Sequence, residues 1–214
     1  MTALLSVLYV VLLVTAATAG GGLHPAGPAA PARRPPVATM VAFALTAVPS
    51  LLQLTLAPAL FEALRRDRAA IADGQLWRLV TSFAVQDSGW PGLIFNLIAL
   101  AVLGTLAERC WGPARWVAIA LAAQLLGSLW GLVVQPVGAG TSLVNFGLAG
   151  ALAAAALLRE TAPRTRVPAT AALIATLTLL ALADIHGGAA LTGALAGAAL
   201  TIPHRHRRID HRSA

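Results

Sequence analysis

Seven apolar runs leave this chain almost no choice of environment. They cover residues 2–19, 37–61, 90–107, 115–134, 142–158, 168–183 and 186–202. A helix needs roughly 20 mostly apolar residues to cross a bilayer, and in lipid its backbone must satisfy its own hydrogen bonds. The runs therefore predict an all-α fold, a polytopic membrane helix bundle. With a mean hydropathy of +0.78, a water-soluble domain of this size could not hide so much apolar surface.

Punctuation divides the chain further. Residues 1–19 read as an N-terminal membrane anchor or signal-like helix. Ala17-Thr18-Ala19 resembles a signal-peptidase site, but no basic residue precedes the run, which favours an uncleaved anchor. A Gly/Pro/Ala-rich linker follows over 20–36, and a membrane domain over 37–202. Pro49 and Pro58 interrupt the second run, so it is expected to end in a broken turn. Residues 62–78 form an amphipathic loop suited to the membrane interface. The tail, 203–214, is basic and cytoplasmic. Its His204, His206 and His211 fit a solvated juxtamembrane segment better than a metal site.

All 15 basic residues are Arg, and they fall between the apolar runs and in the tail. That is how a multi-pass protein anchors its loops, and no basic face carries interleaved aromatics, so nucleic acid is excluded as a partner. The lipid bilayer is the expected one. Placing the N-terminus outside puts Arg33, Arg34, Arg109, Arg115, Arg159, Arg164, Arg166 and the tail on the cytoplasmic side. The expected location is the bacterial plasma membrane. One cysteine, Cys110, excludes an internal disulfide and a CxxC metal site. No metal and no cofactor are expected.

Polar groups inside apolar helices are costly and mark function first. Ser142 and His186 each open a run, and the topology sets both near the outer face. A hydroxyl and an imidazole are the minimum equipment for nucleophilic catalysis. Ser142 could equally cap its helix. His186 is followed by Ala189, Gly193 and Gly197 on one helical face, and Ser142 by Gly147, Ala151 and Ala155. Such small-residue faces let backbones approach closely in lipid, which a short Ser–His hydrogen bond requires.

Four ordered motifs carry a resemblance. Trp77-Arg78 lies in Gly74-Gln75-Leu76-Trp77-Arg78-Leu79-Val80-Thr81. Asn96, Gly104, Glu108, Arg109 and Gly112 follow in the next run. Gly140, Ser142, Phe146 and Gly147 begin a later run, and His186, Ala189, Gly193 and Gly197 begin the last. Over residues 38–202 the chain resembles the rhomboid intramembrane serine proteases. The resemblance implies a six-helix rhomboid-like core, with the first run as one extra N-terminal helix.

The resemblance further implies a Ser142–His186 dyad without a carboxylate. Ser142 N–H and the Asn96 side chain would form the oxyanion hole, with Gly140 and Phe146 in support. Trp77, Arg78 and Glu108 would be structural, and Asn96 could serve only as an interhelical hydrogen bond. Transmembrane proteins would be the substrates, with no cofactor. A catalytically inactive relative that binds transmembrane clients is the alternative.

The sequence departs from the family pattern. Gly92 stands where a second oxyanion-binding His is usual, and the same loop lacks an upstream His in Ala84-Val85-Gln86-Asp87-Ser88, where Gln86 is a weak candidate donor. Leu143 replaces the Gly that usually follows the nucleophile, and so blocks or reshapes the site. A shift of the last helix would set Ala190 in the place of His186. Asn145 has either an interhelical role or marks a divergent site. Asp184, two residues from His186, is expected to point elsewhere on the helix.

Overall fold

The computed structural model describes residues 2–23, 35–160 and 162–201. Arg33, Arg34 and the basic tail with its histidines lie outside the described residues. Helix α1 spans Thr2–Gly21 and α2 Val37–Thr55, with Pro49 inside it. The outer loop then folds as α3 (Ala59–Leu64), β1 (Arg66–Asp67), α4 (Arg68–Ala72), α5 (Arg78–Thr81) and a 3-10 turn, Ser82–Ala84. A long span follows as α6 (Gly89–Ala99), a π-turn over Leu100–Gly104 and α7 (Thr105–Trp111). The rest is α8 (Pro113–Val134), β2 (Val137–Gly138), α9 (Ser142–Arg159), α10 (Pro163–Ala181) and α11 (Ile185–Thr201).

Among the described residues, five stretches are long and apolar enough to cross a membrane: α1, α2, Gly89–Trp111, α8 and α9. α11 is apolar but spans only 17 residues, about 25 Å of helix. The fold is an all-α membrane bundle. Among the described residues two short strands pair antiparallel, Arg66 with Gly138 and Asp67 with Val137, which ties the loop after α2 to the segment before α9. α10 starts five residues earlier than the apolar run at 168 suggested. Pro163 fits the first turn, where a missing N–H costs nothing, so Arg164 and Arg166 stand on the helix rather than in a loop.

At the centre stands α9, 78% buried against 28–39% for the other four spans. It is packed by α1, α8, α10 and α11. The α9–α11 seam is the most extensive in the molecule, and its composition explains why. A Cβ on Gly193 would run into the Gly147 backbone, and one on Gly197 into Ala151. Gly150 abuts the Ala190 backbone in the same way. With no side chains between them the two backbones touch, as small-residue seams allow.

Two buried ions fix the rest of the frame. Glu108 accepts hydrogen bonds from Ala38 N, Thr39 N and Thr39 Oγ1 at 2.8–2.9 Å. It thereby caps the N-terminus of α2, where free N–H groups and the helix dipole favour an anion. Arg78 donates to Gln75 Oε1, Glu62 O and Arg65 O, stapling the outer loop, while Trp77 is 53% exposed beside it.

Candidate active site

At one end of the seam, Ser142 is the first residue of α9 and His186 the second of α11. Seam packing brings them together: Ser142 Oγ lies 3.0 Å from His186 Nε2. Phe146, one turn below Ser142, is 1% exposed and its ring centroid lies 4.5 Å from the imidazole. His186, not Ala190, therefore faces the serine.

Asp184 does not point elsewhere. Its Oδ1 lies 2.8 Å from His186 Nδ1 and also accepts the His186 backbone N–H at 2.9 Å. The expectation failed because helical periodicity was applied to a residue outside the helix. α10 ends through Ala183 in the left-handed region (φ 53°), and Asp184 precedes α11 as its capping residue. From there its carboxylate folds back over the second helical residue. Burial opposes its charge, but hydrogen bonds from His186 and Tyr9 hold the carboxyl below the usual carboxylate range. An ionised carboxylate only accepts, so Nδ1 donates to it, and in the neutral imidazole the Nε2 lone pair then faces the Ser142 hydroxyl.

Tyr9 of α1 completes the cluster. Its hydroxyl donates to Asp184 Oδ2 at 2.6 Å, and its ring packs edge-on to His186 (4.5 Å) and Phe146 (5.3 Å). Sequence reasoning passed over it. The available signal was that Tyr9, the single tyrosine of the chain, sits within an aliphatic helix, and a polar-tipped ring in lipid needs a partner.

The oxyanion side is a chain of amides. Asn96 is buried; its Nδ2 donates to Gln86 Oε1 at 2.8 Å, and Asn145 Nδ2 donates to Asn96 O and Oδ1 at 3.0 and 3.2 Å. Gln86 is held from α2, donating through Nε2 to Ser50 Oγ and exchanging backbone bonds with the Gln53 amide. Gln86 thus orients Asn96, leaving the second Nδ2 proton of Asn96 for another acceptor. Gly140 adopts φ 140° and donates its N–H to Ser82 O. A Cβ there would lie 3.4 Å from Asn96 Nδ2 and 3.7 Å from Ser142 Oγ, so its absence keeps open the space between hydroxyl and amide.

That space belongs to a cavity of about 290 Å³ lined by Ser142, His186, Asn96, Gly140, Tyr9 and Phe95, among others. Gly92 also lines it, with no side chain to donate. Leu143 forms part of the wall but packs against Gly127 of α8, at 3.4 Å from where that glycine would carry a Cβ. Arg66 lines the far side, donating to Gln135 O. Burial pushes its guanidinium down to about 10, partly offset by Asp87. No cluster of metal-ligating side chains occurs among the described residues.

Known proteins resemble this chain. The rhomboid domain family model matches residues 73–207, which take in Trp77-Arg78, Asn96, Ser142 and His186. Rhomboid protease GluP of Bacillus subtilis is 41% identical over 93 residues, covering 43% of this chain and 18% of that protein. Putative rhomboid protease YdcA of the same organism is 30% identical over 83 residues, or 37% of this chain and 41% of the relative. The matched segments thus span well under half the length of either relative.

Proposed function

The chain belongs to the rhomboid family, and on that premise we propose that it is an intramembrane serine endopeptidase cleaving transmembrane segments of other membrane proteins near the outer face. The observation that carries this reading is the 3.0 Å approach of Ser142 Oγ to a His186 whose other ring nitrogen is committed to Asp184.

In this mechanism His186 Nε2 takes the Ser142 proton as Oγ attacks the scissile carbonyl. The developing oxyanion lies beside Gly140, held by the Ser142 backbone N–H and the free proton of Asn96 Nδ2. First-turn N–H groups of a helix have no internal acceptor, so the Ser142 donor is available. His186 then returns its proton to the leaving amine, and water enters the cavity to release the acyl group. Asp184 fixes the tautomer and steadies the imidazolium without itself being protonated. Asn96 is a strong term, since one such donor is worth about 10²–10³ in kcat.

Reconstitution into liposomes with a single-pass membrane protein as substrate tests the reading. Wild-type protein is expected to yield two fragments whose new termini, by mass spectrometry, lie at the outer end of the substrate span. Binding of that protein with no cleavage, equal for wild type and Ser142→Ala, would contradict the reading and leave a client-binding protein.

A further inference from the structure

We propose that Tyr9 is a positioning residue for His186, acting through Asp184, and that α1 is therefore part of the catalytic apparatus. This inference rests on the protease reading above. It assigns a role to an element outside the region matched by the family, residues 73–207.

Three contacts carry it. Asp184 has two carboxylate oxygens with separate tasks: Oδ1 serves the backbone and ring of His186, and Oδ2 receives the Tyr9 hydroxyl. With Oδ1 alone engaged, the carboxylate could rotate about its Cβ–Cγ bond. The 2.6 Å bond to Oδ2 removes that freedom and sets the plane in which Nδ1–H finds its acceptor. Meanwhile the Tyr9 ring packs edge-on with the imidazole, and the Phe146 ring lies tilted to it at the same 4.5 Å centroid distance. His186 is thus clamped by two rings and one carboxylate, and two of those three restraints involve Tyr9.

α1 is placed to hold that ring firmly. Leu12, Leu13 and Ala16 below Tyr9 are buried in the main core, and α1 packs along α10 and α9. A helix that served only as an anchor would have no need to bury a phenol against a capping aspartate 175 residues away.

The experiment is a double-mutant cycle with Tyr9→Phe and Asp184→Asn in the full chain. Tyr9→Phe keeps the ring and deletes one hydroxyl. Its kcat for a reconstituted substrate is expected to fall about tenfold with KM unchanged, the scale of one hydrogen bond to a charged group. In the Asp184→Asn background the same change is expected to cost almost nothing, because the hydroxyl acts only through the carboxylate. A second readout does not need activity. A low-field NMR resonance of His186 Nδ1–H is expected in the wild type, and it is expected to move or broaden in Tyr9→Phe.

An unchanged kcat and resonance in Tyr9→Phe would overturn the inference. So would an equal loss in both backgrounds, which would make Tyr9 a packing residue. If the wild type cleaves nothing, the protease reading falls, and the resonance alone still decides whether Tyr9 orients His186.

Discussion

The two halves of the α9–α11 seam are built from opposite materials. The inner half is Gly147, Gly150 and Ala151 against Ala190, Gly193 and Gly197, backbone on backbone with no polar side chain. The outer half is Ser142 and Phe146 against Asp184 and His186, opening on a cavity. Small residues below set the helix separation, and that separation places the hydroxyl within a hydrogen bond of the imidazole above. Stability and chemistry occupy one interface but different turns of it, so substitutions should separate them.

Ser142→Ala breaks the outer half alone. Cleavage should drop by about 10⁴-fold or more, while the melting temperature in detergent stays within error of the wild type. Gly193→Val breaks the inner half. Overpacking there should cost about 1–3 kcal/mol in stability. Because a displacement of about 1 Å at the site can cost about 10²-fold, activity should fall with it. A Gly193→Val protein that melts earlier yet cleaves normally would uncouple the halves.

Asn96→Ala sharpens the outer half by removing one oxyanion donor. It should lower kcat about 10²–10³-fold with little change in KM. Gln86→Leu, which leaves Asn96 present but unheld, should show a smaller loss of the same kind. A change confined to KM would place both residues in substrate binding instead. Glu108→Gln lies far from either half. It should destabilise the cap of α2 by about 1–3 kcal/mol and leave the cleavage rate of folded protein unaltered.

Acid provides a finer probe. The Asp184 carboxyl is held below the usual range, so its contribution to stability is present above the unfolded value of about 4 and lost as pH falls through the lower folded value. Wild type and Asp184→Asn should therefore differ in melting temperature at neutral pH and converge in strong acid. Divergence growing toward low pH would contradict the assigned sign.

Much of this was legible because membrane interiors penalise polarity. Ser142, His186 and Asn96 stand out of apolar runs, and helical spacing alone puts Phe146 over the same site as Ser142. Glu108 and Arg78, read from the sequence as structural, hydrogen-bond to the backbone of α2 and of the loop after it. Other features lay beyond periodicity. Asp184 precedes its helix, so the two-residue offset that separates faces inside a helix did not apply. Gln86 lies in a segment joining two elements, where only its bonds to α2 reveal that it holds Asn96. Tyr9 meets Asp184 solely because α1 packs beside α10, and nothing local to residue 9 encodes that.

The central claim is that His186 activates Ser142 as a nucleophile. A fluorophosphonate probe that reacts with activated serines measures this most directly on the purified full chain in detergent. The account predicts labelling of the wild type, none for Ser142→Ala, and a strongly slowed rate for His186→Ala. Labelling of wild type and His186→Ala at equal rates, or no labelling of well-folded wild type, would contradict it.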